Sequence, residues 1–190
     1  MVRTLFLYAT SRCNHVCSHC YLGYEGEWNP DDLLAVTLKY RDSCEVCING
    51  AEILLNLEYL KSVQAARQTY IFTNGKVFTA DKRDRIVDAL HSHGISTVRI
   101  SNHFGAFPAL NAVNPKLVCA VSDRLINSGF IVDYNTTITT DNYLDVQDMC
   151  KEAYSQGVKR IKFFLLMNSG RASSLPKGLY LNSNNFYISK

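Results

Sequence analysis

No stretch of the 190-residue chain stays apolar long enough to cross a membrane, and its twenty Lys and Arg residues form no cluster. The first absence excludes a transmembrane helix. The second, with a net charge of only +3, removes nucleic acid and membrane surfaces from the expected partners. The opening run Met1–Tyr8 is apolar but short, and no cleavage site follows it. An even cysteine count is also lacking: there are seven, and three crowd into eight positions. That distribution fits a metal or redox site in a reducing compartment better than a disulfide framework, so a cytoplasmic protein is expected. What is present, 47% hydrophobic and 19% charged residues, suffices for one domain with a buried core.

Short β-rich runs at 4–10, 44–49, 69–73, 96–101, 131–138 and 158–166 predict six strands. Helices are predicted between them. The first opens at Asn29-Pro30-Asp31-Asp32, where an N-cap, a first-turn proline and two acids suit the helix dipole. Others cover about 55–67, 80–93, 116–128 and 141–156, and Gly94, Gly129 and Gly157 follow the last three as C-terminal stops. Tyr143, Val146, Cys150 and Ala153 recur at helical spacing and predict a face packed on the sheet. Six β-α units with right-handed crossovers imply a curved parallel sheet, either open or part of a barrel. In both, reactive groups belong at the C-terminal ends of the strands.

Directly after the first predicted strand stands Cys13-Asn14-His15-Val16-Cys17-Ser18-His19-Cys20-Tyr21, a C-x3-C-x2-C loop. Closely spaced loop thiolates can take three corners of a cuboidal iron–sulfur cluster, and with no fourth cysteine nearby one iron is left open to a ligand. The alternative is a zinc site using His15 or His19. Zinc sites usually come as two pairs, and Cys44 and Cys47, three apart on a strand, point to opposite faces.

This loop resembles the signature of the radical S-adenosylmethionine superfamily, most like the core of its peptide-modifying and molybdopterin-pathway members. His19 fills the aromatic slot and Tyr21 follows the last cysteine. The resemblance spans about residues 4–172 and implies a partial (β/α)6 TIM-like barrel with parallel strands. It also implies a [4Fe–4S] cluster on Cys13, Cys17 and Cys20, with S-adenosylmethionine on the open iron. One electron from an external donor such as flavodoxin or ferredoxin would then yield a 5′-deoxyadenosyl radical that abstracts a substrate hydrogen.

Further segments are similar to family positions. Asn49-Gly50-Ala51-Glu52-Ile53 resembles the Gly-Gly-Glu-Pro segment, with Ala51 for the second glycine and Ile53 for the proline. Gly50 and Ala51 would let the backbone approach the methionine ammonium and Glu52 would accept from it, although an acid opening the second helix would also account for Glu52. Thr73-Asn74-Gly75 recurs in the family and equally suits an ordinary turn. Ser101, together with Asn135 and Thr137 on one face of the fifth strand and Thr136 on the other, stands where ribose or carboxylate contacts are made. Backbone groups of Leu166 and Met167 would lie near adenine. In Gly170-Arg171-Ala172, Arg171 reaches either toward the cofactor or substrate or into solvent.

The other four cysteines, Cys44, Cys47, Cys119 and Cys150, read as buried apolar residues. His91 and His93 serve a helix end, and His103 reads as a solvated loop residue near the mouth. Residues 1–172 are expected to form the core, with 173–190 a tail that lacks the cysteine-rich extension of many relatives and so comes from a minimal or a truncated enzyme. The expected substrate is a peptide or protein side chain. The competing functions are activation of a glycyl-radical enzyme and a non-catalytic zinc-binding module.

Overall fold

The computed structural model describes residues 3–23, 25–79 and 81–181. Residue 80, where the third helix was expected to open, and tail residues 182–190 lie outside the described residues, as do Met1 and Val2. Six parallel strands alternate with five helices. The strands are β1 (Thr4–Tyr8), β2 (Glu45–Asn49), β3 (Tyr70–Thr73), β4 (Thr97–Ser101), β5 (Ile131–Ile138) and β6 (Arg160–Leu165). The helices are α1 (Pro30–Tyr40), α2 (Tyr59–Ala65), α3 (Arg83–Ser92), α4 (Pro115–Asn127) and α5 (Val146–Ser155).

The helix stops and starts follow the local chemistry. Asn29 Oδ1 accepts from Asp31 N at 2.9 Å with Pro30 in the first turn, and Asn114 repeats the device at α4 by accepting from Lys116 N. Gly94, Gly129 and Gly157 all take positive φ behind α3, α4 and α5. One helix face departs from expectation. On α5 Ala153 is buried and Val146 half-buried, but Cys150 is exposed and Met149 faces the core in its place. The helix starts at 146 rather than 141, and its inward stripe runs through 146, 149 and 153, the i, i+3, i+7 spacing of one helix face.

The six strands do not share one continuous ladder. β1 pairs with β2, and β3-β4-β5-β6 form a second sheet. A side chain spans the gap. Gln68, buried just before β3, accepts from Ile48 N at 2.8 Å and donates to Ile48 O at 3.1 Å and Tyr70 O at 2.7 Å. Its amide supplies to β2 the donor and acceptor that a neighbouring strand would otherwise provide. The core lies between the sheet and the helices, where Leu33, Ile48, Leu60, Ile71, Val98, Ile100, Leu125 and Val132 are fully buried. None of the described helices is long and apolar enough to cross a membrane.

Gln68→Ala removes all three bonds and strands a buried donor and acceptor on Ile48. Stability should fall by about 2–4 kcal/mol, measured as a lower urea midpoint with unchanged slope.

Candidate functional site

The chain leaves β1 and at once makes a loop whose base is closed by backbone pairing. Ser11 N donates to Gly26 O, Trp28 N to Ala9 O, and Thr10 bridges Glu27 antiparallel. The segment after β2 zips onto the same stem, with Ala51 N bonded to Thr10 O at 2.8 Å and Glu52 N to Arg12 O at 3.1 Å. Gly50 is confined there, because a Cβ would come within 2.7 Å of Ile53 Cγ2 and 3.2 Å of Thr10 O.

The loop has no regular structure of its own, and three other segments satisfy it. Ser18 N bonds to Leu110 O, and Asn111 Nδ2 donates to Val16 O at 2.6 Å. Asn74 Nδ2 donates to Asn14 Oδ1 at 2.9 Å and reaches Cys13 Sγ at 3.3 Å. Arg171 donates twice, through N to Cys20 O and through Nε to Cys17 O, both at 2.9 Å. The arginine, exposed and at the edge of the cavity, ties the segment after β6 to the cysteine loop. Gly170, at φ 56°, brings the backbones so close that a Cβ would sit 2.6 Å from Cys20 O.

Inside this frame lies a cavity of about 770 Å³. Cys13, Cys17, Cys20, His19 and Tyr21 line it from the loop, and Gly50, Ala51, Thr73, Asn74, Ser101, Asn135, Thr137, Met167 and Arg171 line it from the ends of β2 to β6. Glu52 is set apart from them. It is fully buried behind the cavity wall, where Oε2 accepts from Thr73 Oγ1 and Asn74 N, each at 2.9 Å, and Oε1 has no partner. It does not open the second helix either, since a single 3-10 turn at Ile53–Leu55 follows it and α2 starts later. Burial raises its carboxyl to about 7, against the backbone and hydroxyl bonds that favour the anion.

Burial pushes Cys17 up to about 12, and Cys13 and Cys20 add to the shift by repulsion. Burial also raises Cys13. Thiols close enough for Cys13 and Cys20 to act on Cys17 form a donor set suited to a cationic core. Among the described residues no three His, Cys, Asp or Glu side chains converge into a ready-made single-ion site.

His103 corrects an expectation. It is buried, not solvated, with Nδ1 accepting from Thr137 N at 3.0 Å and its ring set edge-on to His19 at 4.3 Å. Accepting at Nδ1 requires a neutral ring, and burial followed by the neighbouring His19 pushes its pKa well down. Burial lowers His19 too, although its Nδ1 lies 3.3 Å from Leu110 O. Also in the lining, and missed in the sequence, are Asn49, Phe72 and Phe164. Period-two alternation could have found Phe72 and Phe164 once their neighbours Asn74 and Leu166 were placed at the mouth.

No protein-family model matches the chain, and no curated protein matches it. Solved structures do. SuiB of Streptococcus suis, determined bound to S-adenosylmethionine and bound to the precursor peptide SuiA, superposes with TM-score 0.74 at 16% identity, covering 92% of this chain. Escherichia coli coproporphyrinogen III oxidase HemN, a radical SAM enzyme, gives 0.67 at 10% identity over 96% of this chain and 49% of its own. The architecture is the fold that these structures share. The radical S-adenosylmethionine methyltransferase TsrM of Kitasatospora setae, solved with cobalamin and a [4Fe–4S] cluster, gives 0.60 at 10% identity, covering 86% of this chain and 36% of its own. The chain spans about two fifths of the SuiB structures, 42–43% of their length. In this fold the cavity between the cysteine loop and the strand ends is the mouth of a partial barrel.

Two outcomes test this geometry. Gly170→Ala adds strain and a clash at the loop, costing about 1–3 kcal/mol locally, and should speed proteolysis between residues 11 and 27 by about fivefold or more. For Glu52, the native state keeps a proton between about pH 4.5 and 7 that the unfolded chain releases. Its contribution to stability is whole below that window and lost above it, falling by at most about 1.4 kcal/mol per pH unit. Denaturation from pH 4.5 to 7.5 should show the decline, and Glu52→Gln should flatten it.

Proposed function

We propose that this chain is a radical S-adenosylmethionine enzyme in which Cys13, Cys17 and Cys20 ligate a [4Fe–4S] cluster and a peptide or protein side chain is the substrate. One observation carries the reading: three cysteines of a single loop line the same cavity as residues from the C-terminal ends of β2 to β6. The remaining donors fit the cofactor. Buried acceptors without partners, Asn49 Oδ1, Asn135 Oδ1 and Glu52 Oε1, stand in or just behind the wall, and such acceptors suit ammonium and hydroxyl groups. When bound, cluster and S-adenosylmethionine supply a one-electron cleavage to methionine and a 5′-deoxyadenosyl radical, which takes hydrogen from the substrate.

The chain's own part is to bind, orient and exclude water. Gly50, Ala51, Glu52, Thr73 and Asn74 form the end suited to the methionine moiety. Ser101, Asn135 and Thr137 suit the ribose, and Met167 with His19 and Tyr21 suits the adenine. The Asn74 amide beside Cys13 Sγ favours the thiolate. Arg171 and Gly170 hold the loop against the strand ends, so that the residues of both face one space. Residues 1–172 supply the whole of this constellation.

A peptide substrate is supported by SuiB, solved with a precursor peptide, and by the cavity's rim. Val16, Tyr21, Phe164 and Met167 are each at least half exposed there and offer apolar contact to an extended chain. A flavodoxin or ferredoxin would provide the electron.

Anaerobic reconstitution tests the reading. The protein should turn brown, show an electron-spin signal that shifts with S-adenosylmethionine, and release 5′-deoxyadenosine under dithionite. Cys13→Ala, Cys17→Ala or Cys20→Ala should cut that release by at least about 100-fold. Colourless protein with stoichiometric zinc and no cleavage would overturn it.

A further inference from the structure

Residues two apart on a strand share a face, so the side chains one step below the cavity-lining positions continue the same inner wall. Below Ser101 on β4 is Arg99. On β5 Asp133 lies below Asn135, and on β6 Lys162 and Arg160 lie below Phe164. Strand register sets Arg99, Asp133 and Arg160 in one row and puts Lys162 beside Asn135 in the row above.

The charges in these rows do not balance. Asp133 is fully buried and engaged by Arg160, with Nη2 3.1 Å from Oδ2 and Nε donating to Oδ1 at 3.4 Å. Arg99 lies over the Tyr70 ring at 3.6 Å, and its buried Nε, 3.8 Å from Asp133 Oδ2, has no hydrogen-bond partner. Lys162 makes no hydrogen bond or ion pair among the described residues. Burial lowers its pKa, and Arg99 and Arg160 lower it further. The other inner-face carboxylate, Glu45 on β2, accepts from Thr4 Oγ1 at 3.0 Å and lies beside Cys47. Three cations thus surround one carboxylate that is already used; Arg99 and Asp133 are held away from water, and Arg160 reaches them from a more exposed position. Phe72 pairs with Arg99 in the lower row and Phe164 stands one row above Lys162, and both face the cavity.

We infer that Arg99, Arg160 and Lys162 receive a substrate carboxylate, the side chain of a Glu or Asp within a peptide, whose neighbouring residues rest on Phe72 and Phe164. This deepens the proposed peptide reading and rests on it. The carboxylate is held between the row of Ser101, Asn135 and Lys162 and the row of Arg99, Asp133 and Arg160, which lies one strand step, about 6.6 Å, below it. The charge surplus selects an anion, and the aromatic rings of Phe72 beside it and Phe164 above it select a chain over a free acid.

Equilibrium dialysis with acetyl-Ala-Glu-Ala-amide, its Gln counterpart and sodium propionate tests the site, using the full chain with and without reconstituted iron and sulfide. The Glu peptide should bind about tenfold or more tighter than the Gln peptide and tighter than propionate. Lys162→Gln should reduce that preference to about twofold and Lys162→Arg should restore it. Because Lys162 is repelled by its neighbours, the melting temperature of Lys162→Gln should match or exceed that of wild type. Equal affinity for the Glu and Gln peptides, no binding of either, or an unchanged preference in a folded Lys162→Gln protein would overturn the anion site. Propionate binding as tightly as the Glu peptide would overturn its assignment to a peptide. Binding is read without turnover, so a chain that fails to cleave S-adenosylmethionine sinks the functional reading and leaves this one to stand or fall on its own result.

Discussion

Between β2 and β3 the backbone ladder stops, and two buried side chains carry the structure across. Gln68 supplies the missing donor and acceptor to Ile48 near the middle of the strands. Glu52 does the same at their C-terminal ends, accepting from Thr73 Oγ1 and Asn74 N. This second bridge is where fold and site meet. The β3 terminus held by Glu52 is the one whose Asn74 amide then reaches Asn14 and Cys13. A break in the ladder splays the two sheets and opens their concave side, and the polar side chains that repair the break aim the residues around it.

The cysteine loop follows from a related constraint. A loop built to present three thiols pairs little of its own backbone, so most of its polar groups must be met from outside. The stem at residues 9–11, the turn at 110–111, Asn74 and Gly170–Arg171 each meet some of them. These supports come from widely separated parts of the chain and converge only when the strands are in register. The loop's conformation is therefore a readout of the whole sheet, and Gly170 shows how tight the fit is.

Polarity along the inner wall runs in two directions. Near the mouth, neutral histidines, thiols and orphaned acceptors favour a cationic, hydroxyl-bearing ligand. Below it Arg99, Arg160 and Lys162 outnumber Asp133. An inner wall with acceptors at the mouth and cations below it would separate two ligands of opposite charge and orient each of them.

How much of this was legible in the sequence divides along physical lines. Strand and helix order, the Asn29 cap, the glycine stops and the cysteine loop are local: they depend on side-chain periodicity, on φ and on spacing within a few residues, and the chain states them directly. The placement of the candidate residues at strand ends followed from that order, and all but Glu52 and Thr136, both buried, do line the cavity. What the sequence could not state is which side chains meet across long separations. Arg171 lies 154 residues from Cys17, and nothing in the Gly-Arg-Ala triplet says that it binds that carbonyl. His103 reads as a loop histidine until Thr137 is seen to donate to it, and Glu52 reads as a helix acid until β3 is placed beside it. The cysteine triplet, by itself, determined that this protein presents three thiols after its first strand. Only the tertiary structure decided what surrounds them, because the carbonyls, acceptors and cations that define the cavity come from six strands brought together by burial of their apolar faces.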